Sequence, residues 1–212
     1  MKNIENKFSE VYKNNLWKGK ESVSGTGSDK ENTLILRTKL IELLNSLNIK
    51  ILIDGACGDM NWMQYILAYI PTLKKFIGMD IVPEIIKSNT EKHEYENKVI
   101  FQCKDIINSY LPKGDLLLCR DCLVHLSFEN ILQFLNNFKK SKITYLLTTT
   151  FINEGRINTD VIVNKGTWRP LNLQKPPFNL PTPDFILNEE CTEGNNLFTD
   201  KSLGLWKREN LI

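Results

Sequence analysis

The 212-residue sequence predicts an α/β fold, a mostly parallel sheet with helices on both faces, and three observations carry that reading. From residue 33 to residue 150, short apolar runs of strand length alternate with runs of helical spacing. One of them, Ile51-Leu52-Ile53-Asp54-Gly55-Ala56-Cys57-Gly58-Asp59, passes from an apolar strand through an acid into a loop of small residues. Finally, acids close successive predicted strands, at Asp54, Asp80 and Asp105. Ligands of open α/β sheets bind at the carboxyl ends of the strands, so these acids share the edge where a site is expected.

Residues 1–32 are polar, with Trp17, Gly19, Gly25 and Gly27 scattered among them, and read as a helix-poor arm or cover. Its stretch Ser22-Val23-Ser24-Gly25-Thr26-Gly27-Ser28 is either a flexible linker or a flap over the ligand. Leu36, Leu40, Leu43, Leu44 and Leu47 mark a helix over 33–47. Strands are expected at 50–54, 75–80, 99–103, 115–119 and 144–149, and helices at 61–68, 83–90 and 128–140, with Pro83 suited to a first helical turn. Residues 151–183 change texture: Gly155, Gly166, Pro170, Pro176, Pro177, Pro181 and Pro183 leave no helical pattern. Trp168, Leu171, Leu173, Phe178 and Leu180 favour an ordered, functional loop there. Strands at 184–189 and 202–207 complete an antiparallel pair. The organisation expected is a single domain: arm 1–32, cofactor-binding core 33–150, acceptor-site insertion 151–183, and strand pair 184–212.

Composition narrows the function. With 27 basic and 25 acidic residues the net charge is +2, too balanced for bulk electrostatic binding of nucleic acid. No apolar run is long enough to span a membrane, and the start lacks a signal-peptide core, so a cytosolic (cytoplasmic) protein is expected. The five cysteines, Cys57, Cys103, Cys119, Cys122 and Cys191, then read as reduced and mostly buried. Cys119 and Cys122 have C-x-x-C spacing. They lack the second ligand pair of a zinc site and the strand–helix context of a redox motif, and no metal is expected.

The loop after the first strand discriminates between ligands. A dinucleotide fingerprint, G-x-G-x-x-G, laid on it falls on Ala56, Gly58 and Asn61, one glycine of three. Asp59 sits where a diphosphate would meet a helix start and would repel it. No Gly-Lys-Ser/Thr follows, which excludes a P-loop. The ligand should lack phosphate and carry positive charge, as S-adenosylmethionine does. Asp54 and Asp59 would face its ammonium, and Ala56 and Gly58 would lie under its chain. Asp80, about 20 residues past the loop, would hold the ribose hydroxyls. Asp105 would accept from the adenine amino group. The adjoining Ile81 and Ile106, and Trp62 after the loop, belong to the same expected cofactor site, with S-adenosylhomocysteine as the product.

On these residues the chain resembles the class I S-adenosylmethionine-dependent methyltransferases over about 33–150. The resemblance implies a Rossmann-like, mostly parallel seven-stranded sheet with an antiparallel last strand. The family's first motif is D-x-G-x-G-x-G; here Ala56 replaces the first glycine and Met60 the third, implying a different start for the following helix. Leu118-Cys119-Arg120-Asp121-Cys122-Leu123-Val124-His125-Leu126 is similar to the segment after the fourth strand in small-molecule methyltransferases. Trp168-Arg169-Pro170-Leu171-Asn172-Leu173 and Asp200-Lys201-Ser202-Leu203-Gly204-Leu205-Trp206 resemble a bacterial subgroup. Some of its members lie in surface-polysaccharide gene clusters.

The resemblance implies methyl transfer to a small acceptor, most simply a hydroxyl of a sugar, sugar nucleotide or surface-glycan substituent, a phosphate-type group included. His125 suits removal of the hydroxyl proton, and equally suits a packing role at a helix start. Asp121 is the rival base or the partner that orients His125. Arg120 would hold an anionic acceptor or pair with a cofactor-site acid. Trp168, Arg169 and Asn172 are expected to bind the acceptor, against the alternative that they anchor the loop. His93, in a charged stretch running to Tyr95 and Glu96, reads as surface. Nucleic acid is disfavoured as acceptor, because no Asn/Asp-Pro-Pro-aromatic motif follows the fourth strand and no Pro-Cys nucleophile is present. Three other readings stay open: a protein methyltransferase, a non-catalytic cofactor-binding partner subunit, and an NAD-dependent reductase. The sequence leaves the oligomeric state undetermined.

Overall fold

A computed structural model describes residues 2–94, 97–161 and 167–211; Tyr95, Glu96 and Gly166 lie outside them. Five strands run parallel: β1 (Ile51–Gly55), β2 (Lys75–Asp80), β3 (Val99–Cys103), β4 (Leu116–Cys119) and β5 (Tyr145–Phe151). Two more close the sheet, β6 (Phe185–Asn188) and β7 (Lys201–Lys207), in the order β3-β2-β1-β4-β5-β7-β6. β7 is antiparallel to both of its neighbours, with Thr148 opposite Gly204. This is the seven-stranded, Rossmann-like architecture expected from the sequence.

The alternation of side chains along the strands builds two cores. Leu52, Phe76, Leu116 and Leu118 face one side, where they meet Leu36, Leu40 and Leu44. Ile53, Ile77, Leu117 and Cys119 face the other, against Ile131, Phe134, Leu135 and Phe138. Both faces are buried, so the central strands read as continuous apolar runs. The first set of leucines sits on α2 (Leu34–Ser46), after α1 (Lys2–Lys13). Two more helices follow, α3 (Pro83–Lys92) and α4 (Phe128–Lys140). Pro83 opens α3, and the Ser127 hydroxyl caps α4 by accepting from the Asn130 amide at 3.3 Å. Among the described residues no helix is long and apolar enough to cross a membrane.

Two expectations fail. The arm is not helix-poor: α1 spans twelve residues. Ile4, Phe8, Val11 and Tyr12 recur at helical spacing, Glu5 lies in the first turn and Lys13 in the last, both matched to the helix dipole. The expected helix over 61–68 is replaced by two 3-10 turns, Met63–Tyr65 and Leu67–Tyr69. No side chain caps this segment, and Pro71 forces Ile70 out of the helical region, to φ −115° and ψ 85°. Trp62, Met63, Ile66, Leu67 and Ile70 are buried all the same, so tertiary packing satisfies them without a regular helix.

Candidate active site

A cleft of about 1120 Å³, measured out to its open mouth, lies over the carboxyl ends of β1, β2 and β4. Its floor is the loop after β1. The amides of Ala56 and Cys57 both donate to the Met79 carbonyl, at 2.8 and 2.9 Å, which ties the loop to β2. From α3, Asn89 donates to the Gly58 carbonyl at 2.7 Å. Asn89 was not expected from the sequence; the signal available was its spacing, three and four residues after Ile86 and Ile85, which puts a polar residue on the buried face of α3.

Asp80 stands at the end of β2 and accepts one amide at each oxygen, Gly58 at 3.1 Å and Val82 at 3.0 Å. Each oxygen keeps a further lone pair. Asp54 ends β1 in the same cleft, and no hydrogen bond from the described residues reaches its carboxylate. Burial, then the charge of Asp80, push the Asp54 carboxyl up to about 7 against the pull of Arg120. Burial also raises Asp80, opposed by its backbone donors. Two buried acids side by side, one without a partner, form an environment that favours a cation. Ala56, Gly58, Trp62, Ile81 and Ile106 line the same space. Asp105 lines it too; its oxygens accept from the Ile107 amide at 2.9 Å and Asn108 at 2.8 Å and, like those of Asp80, each keeps a further lone pair.

Asp59 lines the cleft with a different occupation. It accepts from the Ser22 hydroxyl at 2.8 Å and the Val23 amide at 3.0 Å, and so fastens the arm to the floor. The fit is close: a Cβ on Gly58 (φ 54°) would lie 2.3 Å from the Ser24 hydroxyl oxygen. Asn61 donates to the Ser28 carbonyl at 2.9 Å and adds a second tie. Held this way, the arm roofs the cleft with Ile4, Phe8, Tyr12 and Trp17.

Arg120, expected either to hold an anionic acceptor or to pair with an acid of the site, lines the cleft and is paired within the protein. It forks onto Glu189 at 3.1 and 2.8 Å, donates to the Gly27 carbonyl at 2.9 Å, and approaches Asp121 at 3.3 Å. Burial works against its charge, but Glu189 and Asp121 outweigh that and hold it protonated. The guanidinium lies 5.5 Å over the Trp62 ring. Glu189 and Lys201, neither expected from the sequence, complete a balanced buried quartet, with the Lys201 ammonium 2.6 Å from Asp121 and 3.5 Å from Glu189. Asp121 is thereby unsuited to the role of base. Burial alone would raise it, yet Lys201 and Arg120 hold it down at about 2.

His125 ends the 3-10 turn Leu123–His125 after β4 and lines the cleft. Its Nδ1 is hydrogen-bonded to the Thr167 carbonyl. A carbonyl only accepts, so Nδ1 carries the proton and Nε2 keeps the lone pair. Burial lowers the imidazole's pKa, partly offset by the Thr167 carbonyl and Asp121, so the ring is neutral at pH 7. Trp17 stacks on it, ring centres 4.8 Å apart and planes at 28°.

Trp168, Arg169 and Asn172 do not line the cleft. Trp168, 39% exposed, packs edge-on against Phe151 and Phe198 at 5.9 and 4.9 Å. Arg169 is buried and donates to the carbonyls of Leu123 at 3.1 Å and Thr159 at 3.2 Å. Asn172 closes the loop on itself, accepting from the Gln174 amide at 3.0 Å. The insertion is apolar enough to order itself, and it sets Arg169 against the Leu123–His125 turn, its amide donating to the Val124 carbonyl at 3.2 Å. His93 is half-buried, its ring 5.6 Å from that of Phe101, rather than fully exposed.

Comparison with solved structures places this geometry. The chain superposes on phosphoethanolamine N-methyltransferase 1 of Haemonchus contortus, solved with phosphoethanolamine and S-adenosylhomocysteine, with a TM-score of 0.67 and 14% identity over 96% of this chain. The match covers 48% of that protein, so this chain spans about half its length. N-methyltransferase NodS of Bradyrhizobium japonicum matches with a TM-score of 0.61 and 14% identity, over 84% of this chain and 97% of NodS. The fold is that of the class I S-adenosylmethionine-dependent methyltransferases. No protein-family model matches the chain. In sequence, the phosphoethanolamine N-methyltransferase of Plasmodium falciparum is 38% identical over 55 residues, 25% of this chain and 21% of that protein.

The first loop keeps positive φ at two non-glycine positions. Ala56 and Met60, where the methyltransferase fold's first motif carries glycine, both adopt positive φ, 83° and 62°. A side chain in this region costs about 1 kcal/mol, and the ties to Met79, Asp80 and Asn89 hold it there.

Proposed function

We propose that the chain is a cytosolic S-adenosylmethionine-dependent methyltransferase that acts on an oxygen of a small acceptor. The acceptor class is a sugar, sugar nucleotide or surface-glycan substituent, a phosphate-type group included. One observation carries the reading: a single roofed cleft is lined by a buried acid without a hydrogen bond, a hydrogen-bonded acid, and a neutral histidine whose Nε2 lone pair is free of its structural bond.

Asp54 would balance the ammonium of the cofactor, Asp80 would hold the ribose hydroxyls with its remaining lone pairs, and Ile81 and Ile106 would supply apolar contacts for the adenine. When bound, S-adenosylmethionine would supply an electrophilic methyl carbon, the acceptor oxygen forming the new O–C bond as the C–S bond breaks and the thioether sulfur leaves with the bonding pair. His125 takes the hydroxyl proton at Nε2, and the Thr167 carbonyl stabilises the imidazolium through Nδ1–H. Asp121, held ionised by Lys201 and Arg120, adds a negative charge near the ring and acts by position alone. The arm and its aromatic side chains limit the acceptor to a small molecule and exclude water.

A nitrogen acceptor is the second reading. The H. contortus and B. japonicum relatives are named N-methyltransferases, and Phe8, Tyr12 and Trp17 form a wall that suits an amine.

Calorimetry tests the assignment. The chain should bind S-adenosylhomocysteine and ignore NAD, and Asp80→Ala should weaken S-adenosylhomocysteine by at least about tenfold, the loss of a charge-assisted hydrogen bond. Tighter binding of NAD, or unchanged affinity in Asp80→Ala, defeats the proposal.

A further inference from the structure

The net charge of +2 conceals an uneven distribution. A parallel sheet gathers the starts of its strands along one edge, here the edge opposite the cleft. Lys50 precedes β1, Lys74 precedes β2 and Lys75 opens it, and Lys113 lies just before β4. Lys139 and Lys140 close α4, and Lys142 leads into β5. Pairing sets these starts side by side, with Ile51 opposite Lys75, Leu52 opposite Leu116, and Leu116 opposite Tyr145. Four neighbouring strands spread the charges over roughly 15 Å. All seven side chains are exposed, and none forms an ion pair with a described residue. The acid in their midst, Asp115, is turned onto the amides of Lys50 and Ile51, at 2.8 Å each. Further acids stand at the flanks, Glu91 and Glu94 before β3, and Asp184 and Glu209 by the end of β7.

Lys139 and Lys140 meet the negative end of the α4 dipole, which accounts for them in part. The other five stand outside the helices. Like charges held side by side repel one another and oppose folding, and a polyanion laid against them turns the repulsion into attraction. The chemistry of the edge separates the polyanions. Its exposed cations are ammonium groups, point charges without the guanidinium fork that reads phosphates and base edges in nucleic acid. Helices α2 and α4 end here, so they bring carboxyl ends, which offer no free N–H to a backbone phosphate. A fluid bilayer asks for neither feature, because its anionic lipids diffuse to meet basic clusters wherever they stand. Tyr69, 65% exposed, adds a ring with an apolar body and a polar tip, and its carbonyl accepts at 3.1 Å from Asn45 in the last turn of α2. Such rings settle at the headgroup level of a membrane. We propose that this edge docks the chain on a membrane surface rich in anionic lipid. The cleft lies over the opposite ends of the same strands, so the docked chain keeps it open to the solvent that carries a small acceptor. The docking goes beyond the methyl-transfer reading and does not depend on it.

The test floats the full chain with vesicles of phosphatidylcholine, alone or with about one-third phosphatidylglycerol, in about 0.1 M salt. The chain should rise with the anionic vesicles only, and about 0.5 M salt should release it. Lys50→Gln, Lys74→Gln and Lys113→Gln combined should partition about a hundredfold more weakly, roughly fivefold for each lysine. The unfolding temperature should stay at the native value, since these side chains have no ion pair to lose. A second triple, Lys139→Gln, Lys140→Gln and Lys142→Gln, should weaken docking in the same way, so the effect is read on two separate parts of the edge. Equal binding to both kinds of vesicle, no binding to the anionic ones, or triples that bind as the native chain does would overturn the proposal. Tighter binding to a DNA duplex of about 30 base pairs would overturn it in favour of nucleic acid. An oligomer of the chain alone that the triples dissociate would overturn it in favour of a second copy.

Discussion

The N-terminal arm and the 151–183 insertion both lie outside the strand–helix alternation; the sequence reads the first as an arm or cover and the second as an acceptor-site loop. They do different work. The arm sends Ile4, Phe8, Tyr12 and Trp17 into the cleft, while the insertion turns Thr167 and Arg169 onto the back of the turn that carries His125. Their fastenings differ as well. The insertion is tied by backbone, Phe151 to Leu171 at 2.8 Å and Leu180 to Leu173 at 2.9 Å. The arm hangs mainly on side chains, those of Asp59, Asn61 and Arg120, with Lys13 pairing Glu84 at 2.7 Å. Backbone ladders resist opening cooperatively, whereas a segment held by a few side chains opens locally at low cost. A roof that must admit a ligand belongs in the second class, and a support that must fix an imidazole belongs in the first.

The largest expected effect tests that support. If His125 is the base proposed above, His125→Ala should lower turnover by about 10²- to 10⁴-fold and leave S-adenosylhomocysteine affinity unchanged. Retained turnover would reduce the insertion to a packing element. Activity of the native chain should also fall as pH drops through the histidine pKa, which burial places below its ordinary value.

The next effect belongs to the cleft floor. The Asp54 carboxyl is raised from 3.8 to about 7, so in the free chain its contribution to stability is fully present below pH 3.8 and is lost as pH rises through 7. A bound ammonium reverses the preference and favours the ionised acid. S-adenosylhomocysteine should therefore bind more tightly as pH rises toward 7, by up to about tenfold per unit, and Asp54→Asn should flatten the slope. A pH-independent affinity in the native chain would detach Asp54 from the ligand.

The difference between arm and insertion also explains what could be read in advance. The strands, α2, α3 and α4 follow local periodicity, and the site acids Asp54 and Asp80 follow from strand ends, so a linear reading finds them. The tie from Asp59 to Ser22 spans 37 residues, and that from Arg120 to Glu189 spans 69. No spacing rule encodes such pairs. The amphipathic face of α1 was visible as Ile4, Phe8 and Val11, but its polar composition hid it. Met60 did signal an unusual loop exit: it holds a positive φ, and two 3-10 turns follow in place of the expected helix.

A smaller effect should come from freeing the roof. Asp59→Ala removes the acceptor for the Ser22 hydroxyl and the Val23 amide, worth about 1–3 kcal/mol of local stability. Hydrogen exchange in residues 2–28 should accelerate by about fivefold or more while the sheet stays protected. Uniform acceleration across the chain would mean that the arm does not open as a separate unit.

The smallest expected effect is the sharpest test of the comparison. Trp168 packs on Phe151 and Phe198 and stays out of the cleft, so Trp168→Leu should cost only about 0.5–1.5 kcal/mol of stability from the lost aromatic pairs. Turnover should stay within about threefold of the native chain, because the neighbouring Thr167 carbonyl reaches His125 through backbone that a leucine preserves. Thermal unfolding and a methyl-transfer assay on the same sample separate the two quantities. If turnover collapsed as far as in His125→Ala while the unfolding temperature held, Trp168 would be acting on the acceptor. The insertion would then be a second wall of the site rather than its buttress, and the division of labour between the two segments would be wrong.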